Sequence, residues 1–273
     1  MSADTHATLR IGSPSDLIAA VPYLIGFTPA ESVVLVGLSG KRVVVTIRID
    51  ISDGESGLIK AMGLAVAKVE QVLLIAYTEQ TLPQWLAMPP ACADALVVSA
   101  GRWRSLLCTN PDCCPVEGTP LPGETPAVAA AAVAAGLVAM ADRAEVTARI
   151  QPGQTTQQAT EQAEALGPIN DRDRAWLAID ASFAACEDLH PIGAHYLDIA
   201  RHCEQDQRAA APWFLYAWTA WRNGDGVRAS TALNHALAVD PSYSAARLLE
   251  AALHGGINPA TTPALLDMDG ELS

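Results

Sequence analysis

Apolar and polar residues alternate with a period of two early in the chain, and this alternation predicts β-strands. The clearest case begins at Val43 and sorts its side chains onto two faces, with Val43, Val45, Ile47, Ile49 and Ile51 on one and Val44, Thr46, Arg48 and Asp50 on the other. Residues 72–77 are apolar without interruption, as in a central strand that is covered on both faces. Tight turns at Ser39-Gly40 and Ala100-Gly101 predict hairpins. Strands are therefore predicted over 32–38, 43–51, 72–77, 95–99 and 102–108.

Helix signals alternate with these strands. Ser13 and Pro14 provide an N-cap and a first-turn proline, and Asp16 adds an acidic residue near the positive end of the helix dipole. A capping box in 52–55 predicts a second helix that extends to about Lys68. Further helices are predicted over 82–93, from 126 and from 143. Strands and helices together predict an α/β domain with a mixed sheet over residues 1–150.

Beyond Gln151 the periodicity is helical, and we expect no strand of four or more residues there. Residues 151–168 are polar and rich in Gln and Thr, which indicates a linker, although an exposed helix has the same composition. An all-α domain is predicted over 169–257. Residues 258–273 are acidic and contain proline, which is typical of a flexible tail.

Part of the helical half resembles a single tetratricopeptide repeat. The resemblance rests on Trp213, Ala217, Gly224, Ala229, Leu233, Ala236 and Pro241. Small residues at these positions let two helices approach closely, although Ala220 stands where a tyrosine is usual. One repeat does not form a stable array, so we expect it to stack on neighbouring helices or on the α/β domain. This resemblance predicts a surface that binds another protein.

Composition narrows the class of protein. Half of the residues are apolar and only 5% are aromatic, which favours helical packing over an all-β sandwich. The net charge is −13, and acidic residues outnumber basic ones by four in 1–150 and by nine in 151–273. This charge disfavours nucleic acid as a partner. The N-terminus lacks the features of a signal peptide, and the longest apolar run, 126–140, is too short to span a membrane, so we expect a cytoplasmic protein with reduced thiols.

Candidate chemistry is concentrated in residues 101–121, which contain three of the six cysteines. Cys108, Cys113 and Cys114 lack the paired spacing and the fourth ligand of a structural zinc site, and we assign no metal or cofactor from the sequence. Arg102 and Arg104 would favour a reactive thiolate nearby, but no catalytic base is identifiable in the segment. Three interpretations stay open: packing of a Pro- and Gly-rich loop, metal binding, and a reactive thiol.

Arg48 and Asp50 interrupt an otherwise apolar strand, just as Arg102 and Arg104 interrupt the later one. We hypothesise that the two segments lie side by side, so that one arginine approaches Asp50 while Trp103 provides a rigid platform. Such a site would bind a polar ligand through the remaining arginine donors. The alternative is an ordinary ion pair on a solvated face.

Several residues resemble an actinobacterial family that is known only as a domain of unknown function (DUF4192 type). They are Asp16-Leu17, Pro22, Gly26-Phe27, Pro29, Ser32, Arg48, Asp50, Tyr77-Thr78, Gly101-Arg102-Trp103, Ser105, Cys108, Cys113-Cys114-Pro115 and Glu117-Gly118-Thr119-Pro120. The resemblance covers roughly residues 9–259, and Arg104 stands where an aromatic residue is commoner in the family. It implies an origin in actinobacteria or their phages and no particular activity.

Two functional hypotheses remain. The sequence lacks a nucleotide-binding loop and a nucleophile elbow. It therefore supports neither a nucleotide-binding enzyme nor a hydrolase with a serine nucleophile. The first hypothesis is a non-enzymatic interaction module that binds another protein through its helical half. The second is a small-molecule-binding protein or enzyme with a site formed by Arg48, Asp50 and the segment 102–114.

Overall fold

The computed structural model describes residues 11–40, 42–87, 92–121, 126–134, 139–259 and 262. The chain divides into two compact units, Met1–Arg143 and Ala144–Ser273. The first contains a mixed β-sheet with helices, and the second is helical, with no strand among its described residues. This is the predicted order of an α/β region followed by an all-α region.

The first unit is built on a six-stranded sheet. Its strands are β1 (Ser32–Ser39), β2 (Arg42–Asp50), β3 (Gln71–Tyr77), β4 (Asp94–Ser99), β5 (Arg102–Ser105) and β6 (Thr119–Pro120). Their order in the sheet is β2-β1-β3-β4-β5-β6, and β3 and β4 are parallel while the other neighbours are antiparallel. The apolar strand β3 is therefore central, as predicted.

Apolar clusters cover both faces of this sheet. Helix α1 (Pro14–Ile25) packs Leu17, Ile18 and Val21 onto one face, and α2 (Gly54–Val66) packs Leu58, Met62 and others onto the opposite face. Helix α1 begins as predicted, because the Ser13 hydroxyl accepts a hydrogen bond from the Asp16 amide at 3.1 Å. It ends at Gly26, whose φ of 84° suits glycine.

A β-bulge changes the predicted face of Val43. Gly37 pairs with Val45, but Leu38 pairs with Val43, so Val44 is an extra residue on β2. A shift of one residue reverses the side-chain alternation. Val43 consequently packs against the α1 side, whereas Val45 and the three isoleucines that follow pack against the α2 side as predicted.

Other boundaries differ from the predicted ones in detail. A short 3-10 turn, Ile51–Asp53, precedes α2, and its capping box uses Asp50 and Asp53 instead of Ser52. A helix was predicted over 82–93, and the structure shows α3 over Gln84–Ala87. Residues 88–91 of that prediction lie outside the described part of the chain. β5 ends at Ser105, not at Cys108. Helix α4 covers Pro126–Ala134, and α5 covers Arg143–Ala148.

The second unit contains six further helices among its described residues. They are α6 (Gln157–Ala165), α7 (Ile169–Ala184), α8 (His190–His202), α9 (Ala210–Arg222), α10 (Gly226–Val239) and α11 (Ser244–His254). Helix α6 lies within the segment for which a linker or an exposed helix was predicted, and it buries Ala159 and Ala163.

Helix α9 is the core of this unit, because all thirteen of its residues are buried. It contacts α7, α8, α10 and α11. The alanines and the leucine of the repeat-like pattern are buried, and Ala217, Ala229 and Ala236 are 0% exposed. A helix that is buried on all sides presents no open groove to a partner. The described helices also include none with the length and hydrophobicity that crossing a lipid bilayer requires.

Candidate functional site

A cleft opens at the edge of the sheet where β3 and β4 end. We call it the edge cleft, and its volume is about 310 Å³. Its lining residues are Ile18, Ala19, Pro22, Thr28, Pro29, Ala30, Glu31, Tyr77, Thr78, Glu79, Val98, Gly101 and Leu121. The carboxyl ends of parallel strands are the usual ligand-binding edge of open α/β sheets. The topology therefore places this cleft where a binding site is expected.

Two carboxylates organise the polar end of the edge cleft. Glu31 accepts hydrogen bonds from the Thr78 hydroxyl and the Glu79 amide, both at 2.9 Å. Glu79 in turn accepts the amide of Ala100 through both carboxylate oxygens, at 3.0 and 2.9 Å. Glu31 and Glu79 are the charged residues among the described side chains of the lining, so this end of the cleft is negative.

Two buried hydroxyls beside the cleft have no hydrogen-bond partner among the described residues. They belong to Tyr77, which lines the cleft and is 7% exposed, and to Ser32, which is fully buried. These residues face each other across β1 and β3. Burial raises the pKa of Tyr77 above its ordinary value, so its hydroxyl remains a protonated donor near neutral pH. An unsatisfied buried hydroxyl costs free energy that a ligand hydrogen bond would recover.

Backbone strain lies at the same edge. Glu31 has φ of 42° and Ala100 has φ of 49°, both in the left-handed region that non-glycine residues seldom adopt. Their conformations are held by the hydrogen bonds of Glu31 and Glu79 described above. Glu31 lines the cleft, whereas Ala100 takes its positive φ as the first central residue of the β4–β5 hairpin turn.

The predicted pair Arg48 and Asp50 lies on β2, at one edge of the sheet. Their side chains form an ion pair at 2.5 Å, and Arg143 lies 3.5 Å from the other oxygen of Asp50. The Arg48 hydrogen bond is the main cause that lowers the pKa of Asp50. Arg48 also stacks on the Phe27 ring at 5.6 Å, and its Nε has no described partner.

The hypothesis that Arg102 or Arg104 approaches Asp50 is wrong. β1, β3 and β4 lie between β2 and β5, which is a separation of about 19 Å at the usual strand spacing. A single site formed by Arg48, Asp50 and the segment 102–114 therefore does not exist. Sequence patterns identified two charged strands but contained nothing that fixed their order in the sheet.

Arg102 and Trp103 have structural partners close to their own strand. The Arg102 guanidinium donates to the carbonyls of Glu117 at 2.7 Å and Gly118 at 2.6 Å. Trp103 is buried against the α1 side of the sheet, and its indole N–H donates to the Ser15 hydroxyl at 3.2 Å. Arg104 is exposed.

The three cysteines of the segment do come together. The Sγ atoms of Cys108, Cys113 and Cys114, which we call the thiol cluster, all lie within 4.8 Å of one another. The backbone amide of Asn110 lowers the pKa of Cys108, whereas desolvation and a hydrogen bond to Cys108 raise the pKa of Cys114 to about 11. Because these cysteines follow β5 and Asp50 ends β2, the thiol cluster is a candidate site separate from Asp50.

Sequence reasoning did not identify the edge cleft as a site. Yet Pro22, Pro29, Tyr77-Thr78 and Gly101, which were singled out only for a family resemblance, all line it. A usable signal was present at the end of β3, where Tyr77 is the last residue of an apolar central strand and Thr78 and Glu79 follow it. Polar residues at that position lie at the ligand-binding edge of a parallel pair.

These features define an α/β unit with an edge cleft and a thiol cluster, followed by a helical unit. The chain belongs to the family described as Domain of unknown function (DUF4192), which matches residues 14–189 and 163–260. Comparison with curated proteins and with solved structures returned no match.

Proposed function

We propose that the edge cleft binds a small molecule with a largely apolar body and a cationic amine. The observation that carries this proposal is that Tyr77, a residue of the cleft lining, has a buried hydroxyl without a partner among the described residues. A buried donor of this kind is costly unless a ligand completes its hydrogen bonding.

The lining supports the apolar body of the ligand. Seven of the thirteen residues around a volume of about 310 Å³ are apolar: Ile18, Ala19, Pro22, Pro29, Ala30, Val98 and Leu121. Clefts of this size with an apolar wall and a few fixed polar groups are typical of small-ligand sites. Contact with these side chains would supply most of the binding energy.

The charged end supports an amine and disfavours an anion. Glu31 and Glu79 place two carboxylates at the cleft, and the described lining contains no positive side chain that would balance a phosphate or carboxylate ligand. Each carboxylate oxygen can accept more than one hydrogen bond, so their existing contacts leave room for an ammonium group. The Tyr77 hydroxyl would then contact an acceptor atom of the same ligand.

Chemical-shift mapping with paired probes tests this proposal. Hexylamine and phenethylamine should shift the amide resonances of Ala19, Thr78 and Gly101, whereas hexanoate at the same concentration should not. Ala19→Phe should block binding by filling the cleft. For a ligand that accepts a hydrogen bond from the Tyr77 hydroxyl, Tyr77→Phe should weaken the affinity about threefold to tenfold, as expected for the loss of one neutral hydrogen bond.

Tyr23→Phe is the matched control, because Tyr23 lies on α1 but outside the lining of the cleft. Its affinity for the amines should equal that of the wild type. Equal shifts with amine and hexanoate, or shifts confined to residues outside the lining, would contradict the proposal.

Protein binding through the helical unit is the second candidate function. It is supported by Leu248, which is 60% exposed on α11. Because α9 is covered on all sides, α11 is a better candidate surface than the repeat-like pair α9 and α10. Leu248→Glu should abolish capture of a partner from the host, and Arg247→Ala at the adjacent exposed position should not.

A further inference from the structure

We propose that the thiol cluster is a binding site for one Zn²⁺ ion, held by the thiolates of Cys108, Cys113 and Cys114 with a fourth coordination position open to solvent. This site is independent of the edge cleft and of the ligand proposed for it. The argument rests on how the loop is anchored, how its backbone turns, and how close the three sulfurs lie.

Both ends of the cysteine loop are fixed to the edge of the sheet. Arg102 pairs with Pro120 and Trp103 with Thr119, so the loop leaves β5 and returns as β6. The Arg102 guanidinium closes the loop through the carbonyls of Glu117 and Gly118. Gly118 has φ of 76°, and a Cβ there would lie 2.9 Å from the Trp103 carbonyl oxygen, so this close approach requires glycine.

Hydrogen bonds also fix the backbone that leads from β5 to the first cysteine of the cluster. The Ser105 hydroxyl accepts the amides of Leu107 at 3.1 Å and Cys108 at 3.0 Å, and it donates to Asp94 at 2.7 Å. These bonds turn the chain out of β5 immediately before Cys108. These three hydrogen bonds do not involve the cysteine sulfurs.

A second turn returns the chain to Cys108. The Asn110 carbonyl accepts the amides of Cys113 at 3.2 Å and Cys114 at 2.8 Å. The Asn110 side chain also accepts the Asp112 amide at 3.0 Å. As a result, adjacent cysteines, which seldom ligate one ion, both place their sulfurs within 4.8 Å of the Cys108 sulfur.

The sulfur spacing suits a tetrahedral ion. A Zn–S bond of 2.3 Å in tetrahedral geometry separates the sulfurs by about 3.8 Å. The observed upper limit of 4.8 Å therefore requires each thiol to move by no more than about 1 Å, which rotation about χ1 provides. Three soft thiolates select zinc or other thiophilic ions and not Mg²⁺ or Ca²⁺. Cys113 is exposed, so water has access to the fourth position.

Metal analysis of the full-length protein tests this site. The protein is expressed with added zinc, purified anaerobically with a phosphine reductant and no chelator, and analysed by mass spectrometry for metals. We expect one Zn²⁺ per chain. Replacement with Co²⁺ should give the thiolate-to-cobalt charge-transfer bands and the intense visible bands of a tetrahedral site.

Single substitutions identify the ligands. Cys108→Ser, Cys113→Ser and Cys114→Ser should each lower zinc affinity at least about tenfold in a competition with a chelating dye. Cys186→Ser removes an exposed cysteine of the other unit and should leave affinity unchanged. Far-UV circular dichroism checks that each variant is folded, and the cobalt spectrum of the wild type tests thiolate ligation without any variant.

Three results would overturn the proposal. The first is wild-type protein that neither retains nor takes up zinc. The second is a cobalt complex without thiolate charge-transfer bands. The third is a stoichiometric disulfide within the thiol cluster of protein that is alkylated rapidly at cell lysis without reductant, because such a disulfide would remove the proposed ligands.

Discussion

Two sets of buried polar groups, one in each unit, can be compared: an ion-pair network satisfied within the helical unit and two hydroxyls without a described partner in the α/β unit, although the helical unit also has nitrogens without a described partner at Trp176 and His235. In the helical unit, Asp180 and Arg222 are fully buried and form a bidentate ion pair at 2.9 and 3.0 Å. Trp218 donates to the same carboxylate at 2.7 Å, and Arg222 also donates to the carbonyls of Pro259 and Thr262. In the α/β unit, the buried hydroxyls of Ser32 and Tyr77 have no described partner.

This difference separates a structural network from a candidate binding site. A buried ion pair with additional donors is satisfied within the fold, and its role is to hold helices α7 and α9 together. The Tyr77 hydroxyl makes no hydrogen bond within the described structure, so a phenylalanine at this position would stabilise the fold equally well. Stability measurements and binding measurements should therefore respond to different residues in the two units.

Breaking the Asp180–Arg222 pair should have the largest effect. Asp180→Ala leaves the Arg222 charge buried without its carboxylate, and the free energy of unfolding should fall by about 3–5 kcal/mol. Urea denaturation followed by circular dichroism measures this change. The double variant Asp180→Ala, Arg222→Met removes both charges and should be more stable than Asp180→Ala alone. A loss below about 1 kcal/mol for the single variant would contradict this assignment of a structural network.

Overpacking around α9 should have the next largest effect. Ala217 and Ala236 are fully buried on α9 and α10. Ala217→Leu or Ala236→Leu should lower the free energy of unfolding by about 1–3 kcal/mol, because the helices must separate to accept the larger side chain. Ala251→Leu at an exposed position of α11 is the control and should change stability little. Melting temperatures within a degree of the wild type for both buried variants would remove the close-packing interpretation.

The strands and the class of fold were predictable because each signal is local. The unbroken apolar run of β3 identified the central strand, and Ser13 and Pro14 marked the start of α1. The face of Val43 was not predictable, because the bulge at Val44 depends on its pairing with Gly37 and Leu38. A period-two pattern contains no information about such an inserted residue.

The sites were less predictable because they depend on contacts distant in sequence. The prediction that Asp50 and Arg102 lie close together was wrong because it depended on the order of the strands in the sheet. Side-chain composition does not encode that order. Clustering of Cys108 with Cys113 and Cys114 follows from backbone hydrogen bonds to Ser105 and Asn110. The edge cleft joins Glu31 to Thr78 across 47 positions of sequence.

Breaking the Arg48–Asp50 pair should change the free energy of unfolding less than the substitutions in the helical unit. Asp50 has a side chain that is 41% exposed, so Asp50→Asn should lower stability by about 1 kcal/mol or less at pH 7. Because Arg48 lowers the pKa of Asp50 below its ordinary 3.8, this stabilisation is present at neutral pH and is lost as the pH falls through the folded-state value. The stabilities of wild type and variant should therefore converge below about pH 3.8. A difference that persists unchanged well below pH 3.8, where the carboxylate is protonated in the folded state as well, would exclude the ion pair as its cause.

Removing the Tyr77 hydroxyl should have the smallest effect on stability. Tyr77→Phe keeps the ring in the cluster below α1 and removes an oxygen that has no described partner, so the variant should be as stable as the wild type or more stable by up to about 1 kcal/mol. Trp218→Phe is the contrasting variant, because its indole N–H is bonded to Asp180, and its loss should be destabilising. Parallel urea titrations of the two variants compare an unsatisfied donor with a satisfied one. If Tyr77→Phe is destabilised as much as Trp218→Phe, the tyrosine hydroxyl has a structural partner after all, and the edge cleft loses the donor on which the proposed function rests.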